Sequence, residues 1–204
     1  MDAYELELIL DNHKKCSESG GLVGVRADLA GADLAGESLA GANLAGAGFA
    51  RAKLAGANLA GACLTGADFS GADLAGANLA RATLAGADFS GADLTGANLA
   101  GANATDSTFE SANLTGVNLI GANLAKSRCS IANLSGANLV GAHLVGANFT
   151  DANLEGASLV YANLARTNLT GVNLAGANLA HARLDGANLP DADRAGANLA
   201  RARL

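Results

Sequence analysis

The sequence predicts an all-β fold, a four-sided parallel coil, from three periodic features. The first is a five-residue unit, most clearly Ala-Asp-Leu-x-Gly or Ala-Asn-Leu-x-Gly, which begins at Ala27 and continues to the end of the chain. Its central position can be followed through thirty-six copies, of which thirty-three are Leu or Phe. The second feature is the phenylalanine spacing, always twenty residues or a multiple of twenty, at Phe49, Phe69, Phe89, Phe109 and Phe149.

The third feature is a pair of polar and glycine columns with the same twenty-residue interval. Glycine recurs at Gly36, Gly56, Gly76, Gly96, Gly116, Gly136, Gly156, Gly176 and Gly196. Two residues further on, asparagine recurs at Asn58, Asn78, Asn98, Asn118, Asn138, Asn178 and Asn198. Four five-residue units therefore make one turn, and the chain predicts nine turns at about 4.8 Å each, a rod of about 43 Å.

The unit itself excludes other periodic folds. Leucine at every fifth residue forms no stripe on an α-helix, and glycine in nearly every unit would cost about 1 kcal/mol each. Collagen requires glycine at every third residue and abundant proline, whereas this chain has one proline. Within each unit, Ala and Leu flank an outward Asn or Asp, which predicts three extended residues, and the remaining two residues turn a corner.

Energetics predict that the turns fold only as a stack. One turn buries four large apolar side chains at about 2 kcal/mol each, against about 1 to 2 kcal/mol of backbone ordering for each of its twenty residues. Stacking adds hydrogen-bond ladders and covers the apolar face of each turn, as in other solenoids. We therefore expect one repeat domain over 27–204.

Units such as Ala27-Asp28-Leu29 and Ala177-Asn178-Leu179 resemble those of the pentapeptide-repeat family over almost the whole chain. The resemblance implies a right-handed quadrilateral parallel β-helix, here of about nine coils with a short N-terminal helical cap. It implies little about function, because the repeated residues are those that build the coil.

Residues 1–26 do not follow the repeat and predict a helical cap and linker. Apolar residues alternate with acids near the start, and Lys14 and Lys15 follow, as the helix dipole favours. The acidic start and short apolar run argue against a signal peptide, and no segment is apolar enough for a membrane span. Three scattered cysteines suggest no disulfide framework, so we expect a cytoplasmic protein.

The C-terminal coils predict a homodimer interface. The sequence ends within a repeat at Leu204, which would leave an unpaired coil edge, and Arg194 occupies a core position of the last coil. The alternative is a frayed last turn. A basic and partly aromatic surface adjoins this end, and the candidate interface consists of Tyr161, His181, Arg183, Arg194, Arg201 and Arg203. The nearby acids Asp185, Asp191 and Asp193 also allow a solvated, self-compensating surface.

Charge is concentrated in the N-terminal half. Twelve acids and six bases lie up to residue 102, against seven of each beyond it, so the net charge of −6 belongs to the first half. An acidic patch on two adjoining sides is predicted at Asp28, Asp33, Asp68, Asp73, Asp88 and Asp93. Some members of the family bind DNA gyrase as DNA mimics and protect it from quinolones, which the resemblance offers as an alternative function. DNA carries a charge about every 1.7 Å, much denser than this rod, and outward Asp and Asn also bond their own turns.

A cluster of departures from the repeat lies in the middle of the chain and is predicted as either a recognition patch or tolerated drift. Its residues are Ala104, Asp106, Ser107, Glu110, Lys126, Ser127, Arg128, Cys129 and Ile131. Cys129 continues the phenylalanine column, so we expect a buried, inert thiol. The predicted core column is Phe49, Phe69, Phe89, Phe109, Cys129 and Phe149.

Catalysis has little support in the sequence. The three histidines fall in distant coils, and the carboxylate pairs lie on a convex wall without a pocket. No phosphate loop or metal-ligand spacing is present, so no cofactor is expected. The sequence predicts a non-catalytic structural or protein-interaction scaffold, with a possible protein partner, no direct nucleic-acid contact and no membrane contact.

Overall fold

A computed structural model describes residues 3–18 and 24–203 of the chain. It consists of one helix, α1 (Ala3–Glu18), followed by a solenoid. Most of the linker predicted after the helix falls on residues 19–23, outside the described residues, as does Leu204. Among the described residues no helix is both long and apolar enough to cross a membrane.

Parallel β-bridges hold the solenoid together. Each bridge joins residues twenty positions apart, from Asp28 with Gly48 to Arg183 with Arg203. Every bridge is isolated, and no continuous strand forms over the described residues. The predicted three-residue extended segments are thus realised as single bridged residues, because a turn follows each of them after only two more positions.

The backbone of one unit, 57–61, shows how each amide finds an acceptor. Three amides donate to carbonyls of the neighbouring turns, one closes the β-turn, and the fifth donates to the side chain of the unit's own Asn. The donor–acceptor pairs are Asn58–Glu37, Leu59–Asn78, Gly61–Ala80, Ala57–Leu54 and Ala60–Asn58, at 2.7 to 3.2 Å. The outward Asn or Asp therefore completes the backbone pairing that a buried or half-buried coil requires.

The corners require a left-handed backbone. In each five-residue unit, the second residue after the central position has positive φ, as at Gly136 (φ 64). Positive φ at the third residue of a β-turn is a feature of the type II turn. Glycine adopts this conformation without a Cβ clash. Non-glycine residues occupy some corners with the same geometry, including Ile131 (φ 60), where a β-branched side chain is unfavourable.

The core is a set of stacked columns that run through the solenoid. The inward Leu, Phe and most Ala residues are almost completely buried. Rings of Phe49, Phe69, Phe89 and Phe109 stack at 4.7, 4.8 and 4.9 Å with interplanar angles of 4° or less. These separations equal the spacing of hydrogen-bonded neighbouring strands, so ring stacking and the backbone ladder share one rise per turn.

Helix α1 lies against the first turn of the solenoid. Leu6, Ile9 and Leu10 pack on the core, while Tyr4 and Leu8 are exposed. This pattern is that of an amphipathic helix with one apolar face.

One hydrogen bond joins the helix to the solenoid directly. The Ala27 amide donates to Nδ1 of buried His13 at 3.0 Å, which requires that nitrogen to be unprotonated.

Candidate interaction surfaces

The outward side chains form straight columns because bridges repeat every twenty residues. One column contains Asp28, Gly48, Asp68 and Asp88, and the next contains Asp33, Lys53, Asp73 and Asp93. The six acidic-patch residues therefore lie on two neighbouring columns, with Gly48 and Lys53 interrupting them. Lys53 Nζ lies 3.5 Å from Asp33 Oδ2, which partly neutralises that end of the patch.

Each carboxylate of the acidic patch accepts a hydrogen bond from the amide two residues later, at 2.9 to 3.4 Å. Asp88 also accepts from the Ser90 hydroxyl, and Asp93 from the Thr95 hydroxyl and the Asn113 amide. The carboxylates thus accept the same backbone hydrogen bond that the Asn side chain accepts in other units. All six residues are exposed or half-buried, so the patch combines a structural role with an acidic surface.

The C-terminal candidates form a stacked and paired cluster. Tyr161 and His181 stack at 4.8 Å with an interplanar angle of 21°. Asp185 lies between two arginines, 3.3 Å from Arg183 Nε and 2.8 Å from Arg203 Nε. The two guanidinium charges are therefore shared with one carboxylate, as expected of a self-compensating surface.

Arg194 and Arg201 are exposed in the same region. Arg194 occupies a core position of the repeat, yet its side chain is solvated, because the described residues place no further turn over it. Leu189 and Leu199, at equivalent core positions, are only partly buried. This end of the described solenoid presents an incompletely covered apolar edge.

The predicted core column lies entirely inside the solenoid. The five phenylalanines and Cys129 are each 0% exposed. Burial raises the pKa of the Cys129 thiol to about 12, which keeps it protonated and unreactive at neutral pH. Cys63 is half-buried on an outward column, and a hydrogen bond with the Thr83 side chain lowers the pKa of its thiol.

The mid-chain departures are accommodated locally. Arg128 pairs with Glu110 at 3.3 Å and donates to the Thr108 hydroxyl at 2.6 Å. Buried Ser107 donates to the Ala104 carbonyl at 2.6 Å. These contacts satisfy the polar groups of Arg128, Glu110 and Ser107 within the coil.

Crevices and potential metal-ligating side chains are both present on the described surface. Within 3–18 and 24–203, no three or more His, Cys, Asp or Glu side chains are grouped so as to hold a metal ion. A shallow crevice of about 400 Å³ lies beside α1, and its lining includes Leu6, Leu10, Lys14 and Glu37. It is a seam between the helix and the first turn, without converging catalytic groups.

Sequence reasoning missed an apolar stripe on one side of the solenoid. Ile120, Val140 and Val160 follow one another at twenty-residue intervals, each two residues after the outward position of the Asn column. Ile120 is exposed and the two valines are half-buried. Comparing the residue that follows each central Leu at twenty-residue intervals would have found the stripe.

The twenty-residue ladder and five-residue units agree with the sequence profile described as "Pentapeptide repeats (8 copies)", which matches residues 25–61, 62–99, 92–128, 132–171 and 167–204. The chain belongs to the pentapeptide-repeat family. Among solved pentapeptide-repeat structures it is similar to HetL, involved in heterocyst differentiation regulation in the cyanobacterium Nostoc sp. strain PCC 7120. The identity is 34%, covering 88% of this chain and 87% of HetL, with a TM-score of 0.50.

Two further solved pentapeptide-repeat structures superpose less well on this chain than HetL does. Rfr23 from the cyanobacterium Cyanothece 51142 is 36% identical, covering 50% of this chain and 63% of Rfr23, with a TM-score of 0.24. QnrB1, a plasmid-mediated fluoroquinolone resistance protein, is 22% identical, covering 77% of this chain and 89% of QnrB1, with a TM-score of 0.45. No curated protein matches the chain significantly.

Proposed function

We propose that this pentapeptide-repeat protein is a non-catalytic scaffold that binds another protein along its outer columns. The proposal includes a cytoplasmic location, a cap and linker over 1–26, and a right-handed quadrilateral solenoid of about nine coils over 27–204. The observation that carries it is the outward grid, which repeats at about 4.8 Å along straight columns. Such a surface suits an extended contact with a macromolecule better than enclosure of a small substrate.

The similarity to HetL supports a regulatory interaction role. HetL covers nearly the whole chain at 34% identity and is involved in regulating cell differentiation. For this chain we propose a regulatory role exercised through binding along the rod.

Affinity capture from the native cell tests the scaffold, with variants that change one outward column while keeping the core. Val140→Asp alters one face and Asp68→Asn with Asp88→Asn alters another, and both leave the buried columns intact. We expect one protein to be captured by the wild type and lost with one face variant only. Capture that is unchanged by every face variant, with unchanged circular dichroism, would contradict binding through the outer columns.

We also propose that a homodimer forms through the C-terminal coils. The supporting observations are the partly buried Leu189 and Leu199 and the exposed Arg194. Light scattering at tens of micromolar should give twice the monomer mass, and Arg183→Glu with Arg203→Glu should lower it. A monomer mass for the wild type at that concentration would remove this proposal.

A DNA-mimic activity against gyrase is the second candidate function. The observation that favours it is the group Asp68, Asp73, Asp88 and Asp93, which places four carboxylates on two neighbouring columns in successive turns. A supercoiling assay should show inhibition or quinolone protection at micromolar protein. The matched control converts the four residues to Asn, which keeps the turn hydrogen bonds and removes the charge. Equal activity of the control, or no effect of the wild type, rejects the mimicry.

A further inference from the structure

One side of the solenoid lacks acidic residues, lysine and arginine over five successive turns. This neutral face comprises residues 96–101, 116–121, 136–141, 156–161 and 176–181, which contain no Asp, Glu, Lys or Arg. The remaining three sides all carry charged columns over the same part of the chain. This side can therefore meet an identical side of another molecule without opposing like charges within the face.

The polar groups of the neutral face are largely paired within the face. The Oδ1 atoms of Asn98, Asn118 and Asn138 accept the amide two residues later at 3.2 Å. The Nδ2 atoms of Asn98 and Asn118 donate to the Asn of the preceding turn at 3.2 and 3.1 Å. Because these groups already have partners, covering the face leaves few polar atoms unsatisfied.

The apolar stripe of Ile120, Val140 and Val160 lies beside this Asn column and is followed by the corner column. In that corner column, Gly101, Gly121 and Gly141 precede Tyr161 and His181. Tyr161 is 63% exposed and stacks on His181, so the corner changes from flat to protruding one turn after Gly141.

We propose that the neutral face binds the neutral face of a second copy of this chain, with the two rods antiparallel and a two-fold axis beside Val140. Such an axis maps each column onto itself and reverses its direction. Val140 then faces Val140 of the second copy, and Ile120 faces Val160. In the corner column, Tyr161 lies over Gly121 and His181 over Gly101. The protruding half of each corner column meets the flat half of the other.

Charge favours the antiparallel orientation over the parallel one. The net charge lies in the N-terminal half of the chain, so antiparallel rods place that half beside the neutral half of the second copy. A parallel pair would align the two acidic halves and would set the apolar stripe against the Asn column. The antiparallel register has one kind of repulsive pair, Arg81 with Arg201 of the second copy. The two-fold axis repeats this pair at both ends of the contact.

The size of the contact predicts weak, reversible association. From Arg81 to Arg201 the face spans about 29 Å by about 10 Å, or about 300 Å² per copy. Stable interfaces bury about 800 Å² per partner, so this contact belongs to the weak class. This contact shares Tyr161 and His181 with the candidate C-terminal interface, but it is centred on Val140 and not on the last coils. It does not depend on the scaffold proposal, because it requires no other protein.

Disulfide cross-linking tests the register in a chain with Cys16→Ser and Cys63→Ser. Val140→Cys should form a covalent dimer under mild oxidation, since the two-fold axis brings residue 140 of both copies together. Val145→Cys is the matched control, because Val145 has similar exposure in the same turn but lies on the neighbouring face. A mixture of Ile120→Cys and Val160→Cys chains should yield mixed dimers in several-fold excess over either chain alone.

Charge changes test the same register in solution. Sedimentation of the wild type should show a mass average that rises between about 10 µM and 1 mM, the range for weak association. Val140→Asp should abolish the rise, whereas Val145→Asp should not. Arg81→Glu should strengthen association at low salt by placing a carboxylate opposite Arg201. Reversal of Arg183 and Arg203 should leave the Val140→Cys cross-link unchanged. Equal cross-linking of Val140→Cys and Val145→Cys, or weaker association of Arg81→Glu, would overturn the proposal.

Discussion

The two ends of the described solenoid contain the same repeat and differ in what covers them. At the N-terminal end, Leu34 and Leu39 of the first turn are 1% and 2% exposed beneath helix α1. At the other end, Leu189 and Leu199 are only partly buried. The Ala-Asn-Leu unit at 187–189 is identical to the unit at 177–179, where the leucine is completely buried. Burial in a solenoid is therefore set by the neighbouring turn or cap, since each repeat contacts little else.

The largest expected difference between the ends concerns core leucines. Leu39→Ala should lower the free energy of unfolding by about 3 kcal/mol, because it opens a cavity under α1. Leu199→Ala should cost about 1 kcal/mol, because that side chain is already partly solvated. Chemical denaturation monitored by circular dichroism measures both values. Equal losses would show that the C-terminal edge is covered in solution.

Substitutions in the Asn column should also destabilise the protein less at the C-terminal end than in the interior, but by a smaller difference than for the core leucines. Asn98 bonds both neighbouring turns, since it donates to Asn78 and accepts from Asn118, and it also caps the Ala100 amide. Asn198 bonds Asn178 and the Ala200 amide but receives no donor from a following turn among the described residues.

Asn98→Ala should therefore cost about 2 kcal/mol and Asn198→Ala about 1 kcal/mol. Thermal melts of the two variants beside the wild type give the ranking. A larger loss for Asn198→Ala would contradict the hydrogen-bond account.

The stability cost of replacing a corner glycine should be the same at both ends. Gly36 and Gly196 have φ of +71° and +69°, and a Cβ at either position would meet nothing closer than 3.9 Å. Alanine at either site should cost about 1 kcal/mol, because the penalty arises from the residue's own backbone. Denaturant midpoints of Gly36→Ala and Gly196→Ala measure it. A cost confined to Gly36→Ala would show that the end turn relaxes its corner.

The smallest expected effect is a pH dependence confined to the capped end. Burial, and secondarily the charge of Arg26, lower the pKa of His13. Because the folded state holds His13 neutral, its stabilising contribution is complete above the unfolded pKa of about 6.5 and is lost as the pH falls below it. The protection factors of α1 amides, which compare observed exchange with the intrinsic rate at each pH, should fall as the pH is lowered from 7.5 to 5, with a cost under about 1 kcal/mol.

His13→Asn is the matched control for this titration, since its side-chain oxygen can accept the Ala27 amide without changing charge. Its α1 exchange should show no histidine-dependent step. An identical pH response in the variant and the wild type would assign the effect to other groups.

The sequence alone determined the five-residue unit, the twenty residues per turn, the inward columns and the family. Contacts in a solenoid recur at a constant offset, so a position such as Phe69 implies its neighbours Phe49 and Phe89 without knowledge of the whole fold. The same offset placed the acidic patch on two neighbouring columns. The residue types at the outward positions, and not the offset, predicted that Asp and Asn bond their own turns.

Only the tertiary structure decided the features that do not repeat. The docking of α1 through His13 and Ala27, and the sharing of Asp185 between Arg183 and Arg203, depend on side-chain positions that no periodicity specifies. Bridges remained single residues because the turn hydrogen bonds use the positions that a longer strand would need. The repeat establishes which side of each residue faces inward, whereas packing of unique side chains decides how the ends and the outer surface are completed.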